Sequence, residues 1–483
     1  MKAVYTVVLL SLLMTAAAFS QSYVWQHMGI FPPSKGVVGD TVFGPGVHGI
    51  AVDPDGKVWI QHYYALPKDS ILVPNFMVDK DTTGGVDSIE ARKINIRALH
   101  VYNKDGSEAS FSPIYNVNVD GKWDTLGGFS YYAKGKLVWG LTYAGLGLRA
   151  DHEGNILAVY KNNVIYRINY KTGAGMNKIV IPLQGGTATP AHVSPGVDQD
   201  GNIFINRVYP AFPLVILDKN GTYIQNGIDT TKGFSRTTTV SKDANDIYFC
   251  GYTLNAVLRY HNTSMSGVLG PWDRVDTVMK GFNTEAIDWN PKTGHLWASS
   301  GSYTNFPNGY PGTPTTHDTA AWYAYDTKTD KFTGEKINWE FGVPRNANER
   351  PRGIAFSPGG DTAYVIVFGG NTQPPPGVRW YTRKLTSVEP VESGIPNGFT
   401  LSQNYPNPFN PTTEIQFSIT KSGMTTLKVY DMLGQEVATL VNQELNVGTF
   451  KSKFDASRLS SGTYIYMLTS NGSRLAKKMM LVK

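Results

Sequence analysis

The chain has very little cysteine and a low share of charged residues. One cysteine in 483 residues excludes an intrachain disulfide and a cysteine-based metal cluster. Charged residues make up 17% of the chain, against about 25% in an average soluble domain, which excludes coiled coils and charge-rich disordered chains. Glycine and proline are plentiful instead, with 50 and 28 residues, and these turn formers are typical of β-rich proteins.

Long apolar runs are also missing. The run over residues 7–14 is interrupted only by Ser11 and is too short for a membrane span, which needs about 20 residues. It follows the basic Lys2 and precedes small residues at Ala18 and Ser20 that suit a signal peptidase. We therefore predict a secretory signal peptide over residues 1–20, passage through the periplasm and no transmembrane segment.

A two-strand pattern recurs through the central part of the chain. In each copy, a short apolar strand meets a turn of Asp, Asn and Gly and then a second apolar strand, as in a β-hairpin. The copies lie at residues 49–60, 147–157, 196–204, 237–248, 286–297 and 353–364, and each is followed by a further strand. Such spacing predicts an all-β fold in which residues 21–386 form a β-propeller of four-stranded blades.

The number of blades follows from the number of copies. Six copies predict six blades, and seven is the alternative because 98 residues separate the first two copies. Residues 23–28 are apolar and strand-like, and we predict that they pair into the last blade and so close the ring. The single cysteine, Cys250, lies in an apolar strand and is expected to be buried and inert.

The first copy, Gly49-Ile50-Ala51-Val52-Asp53-Pro54-Asp55-Gly56, resembles the NHL-repeat and gluconolactonase-like propeller families. That resemblance implies that the first strand of each blade is innermost and that its start faces a central funnel. It implies no particular function, because this fold carries many unrelated activities. The turn carboxylates Asp53, Asp55, Asp198 and Asp200 are interpreted as turn residues, with metal binding as the alternative.

The residue before the first strand of each blade is a candidate for the funnel. These positions hold His48, Leu146, Val193, Arg236, Glu285 and Arg352, with His192 beside Val193. Arg236 and Arg352 suit the bidentate binding of a carboxylate or phosphate. The catalytic candidates His48, His192 and Glu285 suit proton transfer. The alternative is structural: a salt-bridge network of the two arginines with the glutamate, capped by His48.

An extra stretch of about residues 64–96 separates the second and third strands of the first blade. Within it, residues 79–90 match the spacing of a calcium loop, with Gly84 at the sharp turn. The ligands would be Asp79, Asp81, Thr83, Gly85, Asp87 and Glu90. Calcium is thus one interpretation of this segment and the only cofactor predicted; an acidic, solvated loop is the alternative.

The C-terminal segment has a different pattern. After a predicted linker over residues 387–397, short strands and regular turns predict a small, Ig-like β-sandwich over residues 398–483. Its opening Asn404-Tyr405-Pro406-Asn407-Pro408-Phe409-Asn410-Pro411 and its end, residues 477–483, resemble the type A sorting domain of the type IX secretion system. The resemblance implies recognition by an outer-membrane translocon and a secreted or surface-attached product.

Two classes of function are consistent with these features. The preferred one is a secreted binding module for a glycan, peptide, protein or small molecule at the funnel face. The alternative is an extracellular hydrolase or lyase that acts on a small anionic or carbohydrate-like substrate. Nine Lys/Arg against five Asp/Glu lie in residues 398–483, and Lys2 lies in the signal peptide. The propeller itself is therefore close to neutral, which argues against nucleic acid as a partner.

The calcium interpretation makes a direct prediction. Titration of calcium into the chain should give a binding heat that disappears in the Glu90→Ala variant, because the twelfth loop position supplies the bidentate carboxylate. Isothermal titration calorimetry of both proteins checks this. Identical weak heats would contradict it.

Overall fold

The computed structural model describes residues 22–32, 46–63, 66, 69–78, 88–127, 144–161, 163–183, 191–264, 269–301, 321–338, 350–368, 377–386, 388–392, 396–445 and 447–483. Within those ranges the chain forms strands and turns without a helix, which confirms the all-β class. It follows that no described helix is long and apolar enough to cross a membrane. The predicted signal peptide lies outside these residues. Two compact units are present, Trp25–Lys384 and a second one that contains Leu385–Lys483.

The described residues of the first unit form 27 strands. The first eight are β1 (Ser22–Phe31), β2 (Val47–Val52), β3 (Val58–His62), β4 (Ser70–Val78), β5 (Ser88–Asn95), β6 (Leu99–Tyr102), β7 (Asn116–Val119) and β8 (Lys122–Thr125). The next eight are β9 (Gly145–Ala150), β10 (Ile156–Tyr160), β11 (Val164–Ile168), β12 (Gly175–Val180), β13 (Gly196–Val197), β14 (Ile203–Ile205), β15 (Leu214–Leu217) and β16 (Tyr223–Ile228). The remainder are β17 (Ser235–Val240), β18 (Asp246–Gly251), β19 (Ala256–His261), β20 (Arg274–Val278), β21 (Ile287–Trp289), β22 (Leu296–Ser299), β23 (Ala321–Asp326), β24 (Lys331–Asn338), β25 (Arg350–Phe356), β26 (Thr362–Phe368) and β27 (Val378–Thr386).

In the described residues these strands form six larger antiparallel sheets. Sheet 1 is β2-β3-β6, sheet 2 is β9 to β12, sheet 3 is β13 to β16, sheet 4 is β17 to β20, sheet 5 is β21 to β24, and sheet 6 is β25-β26-β27-β1. Each predicted two-strand copy is a hairpin at the start of one of these sheets. The predicted pairing of residues 23–28 into the last sheet is confirmed, since β1 lies beside β27.

Sheet 1 differs from the expectation of four strands. Among the described residues it has three, and the predicted extra stretch between its second and third strands contains the separate hairpin β4–β5. A further hairpin, β7–β8, follows β6. These two hairpins account for much of the long interval between the first two copies of the repeat.

The hairpin turns are held by an aspartate in the way that the sequence suggested. Asp53 Oδ1 accepts a hydrogen bond from the Lys57 amide at 2.9 Å, and its Oδ2 accepts one from Trp59 Nε1 at 2.9 Å. Asp198 Oδ1 likewise accepts from the amides of Asp200 and Asn202. The carboxylates thus replace missing backbone partners in the turn, which is the turn-residue interpretation.

Hydrophobic packing joins each sheet to the next. Separate clusters of buried side chains lie between sheets 1 and 2, 2 and 3, 3 and 4, 4 and 5, and 5 and 6. A sixth cluster joins sheet 6 back to sheet 1, with Ile366 and Tyr364 against Ile50 and Ile60. Because each sheet has a neighbour on both faces, the unit is propeller-like in its packing.

The first strands of the six sheets also meet in ring order, with β25 against β2. In sheets 1, 2, 3 and 6 the first strand carries a glycine where it approaches the next sheet too closely for a side chain. A Cβ added at Gly196 would lie 2.8 Å from the Thr239 Cα, and one at Gly353 would lie 2.8 Å from Ile50 Cγ2. The glycine of the repeat therefore permits close contact between neighbouring sheets.

The second unit consists of two four-stranded sheets. Its strands are β28 (Val388–Glu392), β29 (Thr400–Leu401), β30 (Thr412–Ile419), β31 (Gly423–Tyr430), β32 (Glu436–Leu445), β33 (Gly448–Asp455), β34 (Gly462–Ser470) and β35 (Ser473–Leu481). The sheets β28-β33-β30-β29 and β32-β31-β34-β35 share one hydrophobic core. Residues 388–392, within the predicted linker, form β28, which pairs with β33.

The close contact at the axis generates a prediction. Gly196→Ala should lower the stability of the first unit by about 1–3 kcal/mol, because the new methyl group meets backbone atoms that cannot turn away. The measurement is denaturant unfolding followed by tryptophan fluorescence, and all ten tryptophans precede residue 398. The control is Gly359→Ala, where the Cβ meets only Asp361 side-chain oxygens at 3.5 Å. Equal stabilities of the two variants would contradict the close-contact explanation.

Candidate functional site

The first strands bring four of the predicted site residues together. His48 lies in β2, Arg236 in β17 and Arg352 in β25, and Glu285 lies two residues before β21. Arg352 Nη1 pairs with Glu285 Oε2, and the positive charges of Arg352 and Arg236 both act on His48. With Arg350, whose charge also acts on Arg352, these residues form what we call the mouth cluster.

The ring of first strands surrounds a central axis. An ion pair lies on this axis, beside the mouth cluster. Arg149 of β9 reaches from sheet 2 to sheet 5, where its Nη1 pairs with Asp288 of β21. The same guanidinium donates to the carbonyl oxygens of Pro195 at 2.9 Å and Ile287 at 3.1 Å. Burial raises the pKa of the Asp288 carboxyl, and the charge of Arg149 opposes that rise.

The remaining space on the axis is very small. The cavity lined by His48, Arg149, Arg236 and Arg352 has a volume of about 20 Å³. That volume holds about one water molecule. This cavity is therefore too small to enclose a ligand larger than water.

The mouth cluster carries an excess of positive charge. Among the described residues, three guanidinium groups share it with one carboxylate, Glu285, which is 1% exposed. Burial and the charges of Arg236 and Arg350 lower the pKa of Arg352 to about 10, although Glu285 acts in the opposite direction. In the described part of the chain Arg236 has no carboxylate within ion-pair distance. The predicted salt-bridge network thus contains Arg352 and Glu285 but leaves Arg236 out.

Several buried polar atoms of the cluster lack hydrogen-bond partners among the described residues. They are His48 Nδ1, Glu285 Oε1, Arg352 Nε and Arg236 Nε. Buried polar atoms are normally hydrogen-bonded, so such a group at one place favours an unfilled site over a finished structural network.

His48 is neutral at neutral pH. Burial, followed by the charges of Arg352 and Arg236, holds the pKa of its imidazole well below the usual 6.5. Its ring lies 5.5 Å from the ring of Tyr63 and 5.8 Å from that of Phe368, measured between centroids. The aromatic contacts fix the imidazole beside the arginines without adding charge.

His192 does not join the cluster. It lies in sheet 3, where its backbone bridges to Arg207, and burial together with Arg207 lowers the pKa of its imidazole to about 3. Leu146 and Val193, at the equivalent positions of sheets 2 and 3, are buried and apolar. The proposed catalytic set of His48, His192 and Glu285 is therefore not assembled in one place.

Aromatic residues that the sequence analysis did not single out surround the mouth. Tyr63 follows β3, Tyr252 follows β18 and Phe368 ends β26, so each lies just past or at the end of a second strand. Arg236 stacks over the Tyr252 ring at 5.6 Å, and Arg352 over the Phe368 ring at 5.1 Å. A comparison of second-strand ends across the repeats would have found them.

The calcium residues mostly lie outside the described part of the chain. This holds for Asp79, Asp81, Thr83, Gly85 and Asp87. Glu90 lies in β5, opposite Phe76 of β4, so the segment before and the segment after the loop are strands. Within the described residues no group of three or more His, Cys, Asp or Glu side chains is arranged to hold a metal.

Cys250 is buried, and burial raises the pKa of its thiol, as expected of an inert cysteine.

In the second unit, the proline-rich opening is fastened to the last strands by side chains. Asn404 is 2% exposed and donates through Nδ2 to the Pro406 oxygen and to Thr413 Oγ1, both at 3.0 Å. Asn407 Oδ1 accepts a hydrogen bond from the Met480 amide at 2.9 Å. At the end of β35, the Phe409 amide donates to the Met480 oxygen, and the Phe409 oxygen accepts from the Val482 amide. Because proline has no amide hydrogen, asparagine side chains supply the missing hydrogen bonds.

Three described histidines, His27, His48 and His192, have imidazole pKa values that burial lowers, and they predict a pH dependence. Their pKa values are lower in the folded state than the usual 6.5 of the unfolded chain, so acid protonates the unfolded chain first. Unfolding free energy should fall by about 1 kcal/mol per histidine between pH 7 and pH 5.5. Denaturant unfolding followed by tryptophan fluorescence should show about a third of this loss removed in His48→Asn. The exposed His152 serves as the control, and a variant His48→Asn with an unchanged slope would contradict the assignment.

Comparison with known proteins identifies the C-terminal unit. A family model described as "Secretion system C-terminal sorting domain" matches residues 403–483. Among curated proteins, none matches the chain. One similar solved structure is the WD40 beta propeller domain of Doa1, at 10% identity and a TM-score of 0.35, with 74% of this chain and 97% of that chain covered. At this TM-score the likeness bears on neither function nor blade number.

The sorting domain confirms the predicted export route. Such domains mark proteins that type IX secretion carries to the cell surface or the extracellular space. Residues 403–483 are therefore a type IX sorting domain, and the chain is a secreted or cell-surface protein.

Proposed function

We propose that the first unit is a six-bladed β-propeller that binds an anionic ligand at the mouth cluster after export. Six core clusters in ring order, the last of which joins sheet 6 to sheet 1, support the blade number. In this proposal the sorting domain delivers the protein and contacts the translocon, while the propeller carries the extracellular activity.

The observation that carries the proposal is the imbalance of charge at the mouth. Three arginines face one buried glutamate, and Nε atoms of Arg236 and Arg352 have no partner in the described structure. Like charges held together weaken a fold unless a ligand or counter-ion compensates them. Guanidinium groups bind carboxylate, phosphate and sulfate oxygens in a two-point geometry. An oxyanion between Arg236 and Arg352 would meet both requirements.

Binding is preferred over catalysis for a physical reason. His48 and Glu285 share the mouth cluster, but Glu285 is held by Arg352 and His192 bridges to Arg207 outside the cluster, so the set proposed for proton transfer is incomplete there. His48 is neutral and packed against aromatic rings, and the Glu285 carboxylate of the same cluster is already paired with Arg352. General acid–base catalysis needs both partners within reach of the substrate. Calcium binding at residues 79–90 is kept as a separate proposal.

Arg236→Gln tests the proposal. In sodium chloride the variant should be as stable as the parent or more stable, because it removes a positive charge beside Arg352 and His48. In sodium sulfate at equal ionic strength, the parent should gain more in melting temperature than the variant, because sulfate binds the folded protein at the mouth. Thermal unfolding followed by tryptophan fluorescence measures both effects.

The matched control is Arg274→Gln. Arg274 lies in β20 with its side chain 67% exposed and only a 4.0 Å contact to Asp276. It should respond to sulfate as the parent does. A loss of more than about 1 kcal/mol in chloride for Arg236→Gln would assign Arg236 a structural role. An equal sulfate response in all three proteins would also contradict the proposal.

A further inference from the structure

A strip of three aromatic side chains runs away from the mouth cluster across the junction of sheets 3 and 4. The ring centroids of Tyr209 and Phe234 lie 6.0 Å apart, and those of Phe234 and Tyr252 lie 6.1 Å apart. Tyr209 is 40% exposed and Phe234 is 37% exposed. Exposed aromatic rings in contact with one another are unusual on a soluble protein surface and mark an interaction site.

The backbone around the strip holds the rings in place. Gly233, with φ of +73°, makes the turn that precedes Phe234. The Phe234 amide donates to Thr253 Oγ1 at 3.0 Å, and the Tyr252 amide donates to the Phe234 oxygen at 2.8 Å. The Ser235 amide donates to the Val208 oxygen, which ties the two sheets together beside Tyr209. The strip is therefore preorganised by hydrogen bonds.

The strip is continuous with the positive charge at the mouth. Tyr252 is both the last ring of the strip and the ring over which the Arg236 guanidinium lies at 5.6 Å. A ligand that lies along the rings thus meets Arg236 at one end, with Arg352 beyond it. The surface combines a flat apolar face with a site for an oxyanion.

We propose that this surface binds an acidic saccharide, with a uronate carboxylate at Arg236 and Arg352 and sugar rings packed on Tyr252, Phe234 and Tyr209. The proposal rests on the anion site of the proposed function and specifies its ligand. A pyranose ring presents C–H groups on its face, and these pack against the negative face of an aromatic ring. Its carboxylate supplies the charge that the mouth cluster lacks.

A peptide fits this surface less well. Peptides that bind extended to β-proteins add main-chain hydrogen bonds at a sheet edge. The strip lies at the ends of strands, and the amides of Phe234, Ser235 and Tyr252 already have partners within the fold. Side-chain rings and a guanidinium remain to make the contacts, which suits a ligand that is recognised by its ring faces and its charge.

The test compares three ligands of related size on the full chain. Trigalacturonate, its methyl ester and triglutamate are titrated by isothermal titration calorimetry into the parent and the variants. We expect trigalacturonate to bind at least about tenfold more tightly than either of the other two, because only it offers both ring faces and carboxylates. Phe234→Ala and Tyr209→Ala should each weaken its binding about tenfold. Tyr223→Ala is the control, since Tyr223 is also 37% exposed but lies in β16, outside the strip.

The outcomes separate this inference from the proposed function. If Phe234→Ala loses trigalacturonate binding and keeps the sulfate response, the saccharide inference is supported. If sulfate still stabilises the parent through Arg236 while trigalacturonate binds no better than triglutamate, the saccharide inference is wrong and the anion site stands. If Arg236→Gln changes neither response, both proposals fail.

Discussion

The first strands of neighbouring sheets approach one another closely, and at four of these junctions, from sheet 6 through sheets 1, 2 and 3 to sheet 4, the contact requires glycine. A Cβ at Gly147 would lie 2.6 Å from the Ser194 Cβ, and one at Gly196 would lie 2.8 Å from a backbone atom of the neighbouring sheet. The same closeness lets Arg149 span from sheet 2 to sheet 5 and leaves an axial cavity of about 20 Å³. Among the described residues, the interior of the ring is therefore a packed core that cannot enclose a ligand larger than water.

Two groups of charged residues lie at different levels along the axis, the Arg149–Asp288 pair and the mouth cluster. They differ in how their charges are balanced. Arg149 is compensated by Asp288 and by two carbonyl oxygens, so this level is complete without a ligand. At the mouth, one carboxylate faces three arginines, and buried polar atoms lack partners among the described residues. Proteins tolerate such local departures from good packing and pairing chiefly at functional sites. The difference between the levels is the physical basis for placing function at the mouth.

The repeat could be predicted from the sequence because its turn chemistry is local. Asp53 and Asp198 hold their turns through hydrogen bonds to residues within four positions, so the pattern is visible along the chain. The repeats also predicted that His48, Arg236, Glu285 and Arg352 lie together, since each lies at or close to the start of the first strand of a blade. The C-terminal sorting domain was recognisable for the same reason, because its asparagines and prolines act on near neighbours and on the last strand.

Other features depend on which sheets face each other and were not predictable in this way. The Arg149–Asp288 pair joins residues 139 positions apart, and neither residue stands at the position that the alignment examined. His192 was placed with the cluster because it neighbours Val193, but its ring lies with Arg207. The strip of Tyr209, Phe234 and Tyr252 arises from two sheets and becomes visible only when their junction is known.

The central claim is that the mouth cluster binds an oxyanion. Selenate resembles sulfate and scatters X-rays anomalously, so crystals of the protein soaked in selenate locate the anion directly. The account predicts an anomalous peak within hydrogen-bond distance of the Arg236 and Arg352 guanidinium groups that is absent in crystals of Arg236→Gln. Peaks confined to exposed lysines, with none at the mouth, would contradict the account.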